Sequence, residues 1–254
     1  MAGHLQGRVA LVTGAGRGMG VAHARRLAAD GATLALNDLA PSRELTALAD
    51  ELGGVTAVGD VSDPAEAARV VVDVEALVGP VRILVANHAY MSMAPLTEDE
   101  EADWWKVVDT NLGGTFHLIQ AVLPGMRAHG GGRIVVLASE WGVTGWPGAT
   151  AYAASKAGLI SLTKSLGREL APEGIVVNAI APGVIDTPQL LVDAGAAGMS
   201  LDEMRATYAS DIPLGRIGVA EEVAAVVSLL ADHRLGSMVG QVVQVNGGST
   251  RGRV

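Results

Sequence analysis

The chain has no cysteine among its 254 residues. That excludes disulfides and thiolate chemistry, and it suits a reducing cytoplasm. Aromatic residues are only 3%, with a single Phe, so an aromatic group near a pocket stands out. Charged residues are 18% against 49% hydrophobic, which leaves ample material for a large core. There is no basic cluster, and a net charge of −9 argues against nucleic acid as a partner. No apolar run reaches membrane-spanning length, and the first residues lack a charged-then-apolar leader pattern. No set of His, Asp and Glu residues has metal-ligand spacing. One cytoplasmic domain over residues 1–254 is expected.

Glycine is abundant, at 33 residues, which suggests tight turns and close backbone approaches. Residues 8–13 are apolar and β-branched, as a buried parallel strand tends to be. Thr13-Gly14-Ala15-Gly16-Arg17-Gly18-Met19-Gly20 follows, then a helical stretch to Asp30 that Gly31 closes. The spacing is G-x-x-x-G-x-G, with Met19 between the last two glycines. Strand, Gly-rich turn and helix together suit a pyrophosphate. The glycines let backbone approach it, and the helix start offers unpaired N–H groups and a positive dipole end.

A second strand, 33–38, ends in Asp38. A carboxylate there can accept bonds from ribose hydroxyls and repel a 2′-phosphate, which favours NAD over NADP. The same residue could also serve as a turn cap. Arg17 pulls the other way, since a basic side chain in the turn could reach a 2′-phosphate. A third strand, 55–61, is expected to end at Asp60-Val61. Asp63-Pro64-Ala65-Glu66 has the features of a helix start. A fourth strand, 82–87, ends at Asn87. Strands alternating with helices imply a parallel, doubly wound α/β sheet.

In the second half, Ser139 ends the apolar run 133–138, at a strand's carboxyl end, where open α/β sheets place ligands. Tyr152 and Lys156 stand four residues apart, on one helix face. A fixed positive charge nearby would pull a phenol's pKa of about 10 towards neutrality. Tyr-x-x-x-Lys alone also describes a surface pair sharing a helix. No G-x-S-x-G elbow surrounds Ser139, which disfavours a hydrolase nucleophile.

Together, Thr13-Gly14, Gly18-Met19-Gly20, Asp38, Asp60-Val61, Asn87, Asn111, Ser139, Tyr152, Lys156 and Pro182-Gly183 resemble the short-chain dehydrogenase/reductase family, over about residues 7–248. The resemblance implies a single-domain, Rossmann-like sheet of about seven strands with helices on both faces. It also implies hydride transfer between a nicotinamide cofactor and an alcohol or carbonyl carbon. Tyr152 would be the acid/base and Ser139 would bond the substrate oxygen. Lys156 would lower the Tyr152 pKa and bond the nicotinamide ribose. Asn111 would kink its helix and hold a water relaying protons to Lys156. The Ile185 backbone and the Thr187 hydroxyl would hold the carboxamide. The family's Asn-Asn-Ala-Gly appears here as Ala86-Asn87-His88-Ala89, so the pocket floor departs from the usual pattern around His88.

Thr97-Glu98-Asp99-Glu100 is expected to cap a long helix running to about Met126. Residues 188–213 read as a lid, with a short helix starting at Ser200. Trp141 and Trp146 fall between Ser139 and Tyr152, and Tyr90, Met91 and Met93 can join them, suggesting an apolar or ring-containing alcohol or ketone. The last strand, 241–245, leads to Asn246-Gly247-Gly248 and a short basic tail. The family's usual contacts imply a homotetramer. The leading reading is an NAD-dependent secondary-alcohol dehydrogenase or ketone reductase. The alternatives are an NADPH-dependent 3-oxoacyl-type reductase and a non-catalytic NAD(H)-binding sensor.

Overall fold

The computed structural model describes residues 3–250, so the basic tail lies outside the described residues. In chain order the first half runs β1 (Val9–Thr13), α1 (Met19–Ala29), β2 (Thr33–Asn37), α2 (Arg43–Leu52), β3 (Val55–Thr56), α3 (Pro64–Val78) and β4 (Val81–Ala86). Then come α4 (Glu101–Val108), a π-helical turn (Asp109–Gly113), α5 (Gly114–Ala128), β5 (Gly132–Leu137), α6 (Trp141–Thr144) and α7 (Thr150–Leu170). The last third is β6 (Ile175–Pro182), β7 (Ile185–Asp186), α8 (Gln189–Ala197), α9 (Leu201–Ser210), β8 (Gly218–Val219), α10 (Ala220–Ala231) and β9 (Val242–Val245).

Seven parallel strands form one sheet in the order β3-β2-β1-β4-β5-β6-β9. This is the doubly wound, Rossmann-like α/β sheet expected from the sequence. Its strand order reverses between β1 and β4, which opens a crevice at their carboxyl ends. Alternation along each strand feeds two cores. Val9 and Leu11 of β1 face one hydrophobic cluster, with Ile134 and Val136 of β5. Ala10 and Val12 face the other, with Val135 and Leu137. A sheet covered on both faces needs strands with no polar side, and all five β1 residues are buried.

Three boundaries differ from expectation. The third strand stops at Thr56 because the Asn37 side chain donates to the Ala57 and Gly59 carbonyls, at 2.8 and 3.1 Å. The Thr97 capping box does not form. The Glu98 and Asp99 N–H groups turn back on the Pro95 carbonyl, and the helix begins after Glu100, which makes no side-chain cap bond. The long helix is also split, since the π turn adds a residue at Asn111. The segment 188–213 holds two helices, and the Ser200 capping box does form, with Glu203.

The Gly-rich turn is held by close packing. A Cβ on Gly20 would stand 2.1 Å from the Gly14 carbonyl oxygen, so α1 can enter directly beneath the turn only without one. Gly20→Ala is expected to cost about 3 kcal/mol as overpacking and to lower Tm by roughly 6–12 °C in scanning calorimetry. An unchanged Tm would show that the turn yields freely.

Candidate active site

The crevice collects most of the residues expected from the sequence. Gly14 and Gly18 adopt positive φ, 61° and 57°, and start the turn into α1. Asp38 follows β2 and accepts from the Gly16 N–H at 2.8 Å and the Leu39 N–H at 2.8 Å. Arg17 is exposed on the turn, and Met19 packs on the core beneath it. Asn87 stitches β4 under the turn, donating from Nδ2 to the Thr13 and Gly14 carbonyls at 2.9 and 3.2 Å. Asp60 is exposed and accepts from the Ser62 N–H and hydroxyl, while Val61 is buried in the core. Pro182 ends β6, and the Gly183 N–H donates to the Val245 carbonyl at 3.0 Å. Ile185 lies in β7, and Thr187 faces Gly18 across the crevice, its Cβ 3.8 Å from where a Gly18 Cβ would sit.

On the other side of β4, α7 brings Tyr152 and Lys156 to the strand end that carries Ser139. Lys156 is 2% exposed, and its Nζ donates to the Leu137 carbonyl at 2.7 Å. The same Nζ lies 5.4 Å from the Tyr152 ring centre. Trp141 meets the Tyr152 ring edge-on at 5.9 Å and stacks on Trp146 at 4.9 Å. Asn111 is fully buried. Its amide clamps the Tyr90 backbone, Oδ1 accepting from the Tyr90 N–H at 2.8 Å and Nδ2 donating to its carbonyl at 3.0 Å. Nδ2 also donates to the Ser155 hydroxyl at 3.0 Å, which ties the π turn to α7 one residue before Lys156. The Tyr90 ring is turned to Lys106, whose Nζ sits 4.3 Å from its centre.

Residues 14–250 match the family model described as Enoyl-(Acyl carrier protein) reductase. The chain is 38% identical over 247 residues to the 3-oxoacyl-(acyl-carrier-protein) reductase FabG of Escherichia coli (strain K12), covering 96% of this chain and 98% of that protein. It is 39% identical over 251 residues to the 2-dehydro-3-deoxy-L-rhamnonate dehydrogenase (NAD(+)) of Sphingomonas sp. (strain SKA58), covering 98% of each. A crystal structure of levodione reductase superposes with a TM-score of 0.91 at 34% identity, covering 96% of this chain and 98% of that one.

The chain belongs to the short-chain dehydrogenase/reductase family.

It is therefore an oxidoreductase, of a family that binds nicotinamide cofactors. Among the described residues no His, Asp and Glu side chains gather into a metal site, and no helix is long and apolar enough to cross a membrane.

The electrostatics correct one expectation. Burial, with the Ser139 hydroxyl pulling the other way, pushes the Tyr152 phenol up to about 12. Burial also pulls the Lys156 ammonium down to about 7. Desolvation governs both shifts, and Nζ is bonded to the Leu137 carbonyl rather than to the phenol. Burial thus favours the uncharged form of each group, the phenol of Tyr152 and the amine of Lys156.

His88 is placed differently from a pocket-lining group. Its Nδ1 is 2.7 Å from the Thr13 hydroxyl. Its Nε2 is buried against α5, where a Cβ on Gly114 would come within 2.8 Å of it. Gly114 leaves the space that the imidazole fills. Burial, with the Lys156 charge adding to it, lowers the His88 pKa to about 4, so the ring is neutral. Sequence reasoning missed Ser155 as the partner of Asn111. Its position beside Lys156 on α7 was the available signal. It also missed Thr13 as a structural hub: the Thr13 hydroxyl accepts from the Asn87 and His88 N–H groups at 3.0 and 3.2 Å.

The depressed Lys156 pKa couples folding to pH. Between pH 7 and 10.5 the unfolded chain binds a proton at Lys156 that the folded chain has lost. Stability therefore rises with pH across that window, and the penalty is fully felt below pH 7. Lys156→Met should be more stable than wild type at pH 6.5, and the gap should narrow by on the order of 3 kcal/mol by pH 10. Urea titrations at the two pH values measure it. A constant gap would contradict a neutral buried lysine.

Proposed function

We propose that this enzyme transfers a hydride between NAD(H) and a secondary alcohol or ketone, with Tyr152 as acid/base. One observation carries the reading. Ser139, Tyr152 and Lys156 converge at the carboxyl edge of the sheet, in the same crevice as the Gly-rich turn and Asp38. The residues present fit a dinucleotide. The Gly14–Gly20 cradle leaves backbone open to a pyrophosphate, and a Gly16 Cβ would meet Asp38 Oδ2 at 2.6 Å, so the carboxylate sits against the turn. The nicotinamide, when bound, supplies or accepts the hydride.

In the reducing direction, Tyr152 gives its proton to the carbonyl oxygen and Ser139 donates a hydrogen bond to that oxygen as charge develops. Lys156 would then replace the proton on Tyr152. Asn111, by fixing Tyr90 and Ser155, sets the distance between the π turn and Lys156. Gly14, Gly18, Met19 and Gly20 would cradle the phosphates, Asp38 the adenosine ribose, and Asp60, Val61 and Asn87 the adenosine side. Pro182 and Gly183 would line the cofactor, and the Ile185 backbone and Thr187 hydroxyl would hold the carboxamide. Residues 188–213 would close over the substrate, and four copies would assemble through α5, α7 and β9. The stacked Trp141–Trp146 pair against Tyr152 favours a substrate with a ring or another flat apolar part.

A second reading, a 3-oxoacyl-type reductase using NADPH, draws support from the relatives named FabG and from Arg17 at the turn. Asp38 stands against it, as a carboxylate held where a 2′-phosphate would lie.

Tyr152→Phe should lower kcat by 10²–10⁴-fold, the range expected for losing a general acid/base, with NADH affinity within about twofold of wild type. Loss of NADH binding together with activity would make Tyr152 structural. No loss of activity would remove it from the chemistry. Trp141→Ala should raise KM about fivefold for 1-phenylethanol and cyclohexanol with little change for 2-propanol, since one ring contact is worth about 1 kcal/mol. An equal effect on all three would refute the ring preference.

A further inference from the structure

Glu140 directly follows Ser139 and is 7% exposed. A carboxyl group so placed loses hydration and needs partners. Burial raises its pKa, and the Ser249 hydroxyl and Asn246 side chain pull it back. The Ser249 hydroxyl donates to Glu140 Oε2. Oε1 closes on Gly183, where a Cβ would meet it at 3.2 Å and the Asn246 Cβ at 2.8 Å. The Glu140 N–H donates to the Pro182 carbonyl at 2.9 Å. One residue thus joins the Ser139 segment, the Pro182–Gly183 segment and the C-terminal turn at residues 246–249.

That turn also meets the far end of the lid. The Leu214 N–H donates to the Gly247 carbonyl at 3.1 Å. Gly247 has room for no Cβ, since one would stand 2.6 Å from Ile212, and Gly248 lies against Pro213. A path of direct contacts therefore runs from the end of the lid, through the C-terminal turn and Glu140, to Ser139.

We propose that Glu140 is a positioning residue. It braces Ser139 and the Pro182–Gly183 segment against the C-terminal turn, so that lid position and catalytic geometry are set together. In this role Glu140 acts through Ser139 and Gly183. The inference rests on the hydride-transfer reading of the site.

Glu140→Ala, Glu140→Gln and Ser249→Ala test it, with NADH titrated by its own fluorescence and turnover followed on 1-phenylethanol with NAD. Glu140→Ala should lower kcat about 10- to 100-fold while KM and the NADH Kd stay within threefold. Glu140→Gln, which keeps an acceptor oxygen for Ser249, should recover at least half the wild-type kcat. Ser249→Ala should cause a smaller loss, and adding it to Glu140→Ala should cost nothing more, because the serine acts through the carboxyl. Where Glu140→Ala does not fold, Ser249→Ala and Glu140→Gln carry the comparison. Wild-type kcat in Glu140→Ala or Ser249→Ala, or losses that multiply in the double variant, would overturn the brace. Wild-type protein that neither binds NADH nor turns over would instead overturn the hydride-transfer reading on which the brace rests.

Discussion

The site depends on a lysine kept out of water. Lys156 is among the largest fully buried side chains in the protein, and its Nζ is held by a backbone carbonyl at the end of β5. Burying an ammonium with one neutral partner is costly, and the cost emerges as a pKa near neutrality rather than as an ion pair. A group titrating there can pass protons in both directions at ordinary pH. Tyr152, shifted the other way, keeps its proton until the site draws on it. The opposite displacement of two neighbouring groups would suit them to complementary roles in the proposed hydride transfer.

The surrounding architecture keeps these groups in register. The π turn is the clearest case. One extra residue in the helix frees the geometry that lets the Asn111 amide grip the Tyr90 backbone and reach Ser155. On the cofactor side the equivalent stitch is Thr13 with Asn87, which ties β1 to β4 where the sheet order reverses. The His88 ring extends this stitch, filling the space that Gly114 leaves. A departure from the usual family sequence is thus absorbed by packing beneath the cradle.

Much of this was legible in the residues. Continuous apolar runs located the central strands, because a parallel strand covered on both faces has no polar side. The Gly-rich turn, Asp38 and the Tyr152–Lys156 spacing located the crevice, because each is a local pattern with a local cause. The rest depended on contacts between segments distant in sequence. The early stop of β3 is caused by an Asn37 side chain from another strand. The inserted π residue leaves no trace in a 3.6-residue periodicity. The direction of the Tyr152 shift required knowing how deeply it and Lys156 are buried, and that Nζ bonds the Leu137 carbonyl. Glu140 gave no signal, since the side chains that bond its carboxyl, Ser249 and Asn246, lie more than a hundred residues away.

On the proposed reading, Asp38 selects NAD(H) for a site built around Tyr152 and Lys156. Thermal shift with NADH and NADPH at matched concentrations tests it most directly and needs no substrate. A cofactor present at 100 times its Kd should add about 2.7 kcal/mol. NADH should raise Tm and NADPH should not. Stabilisation by NADPH alone would contradict that reading, by showing that Arg17 rather than Asp38 governs the adenosine end.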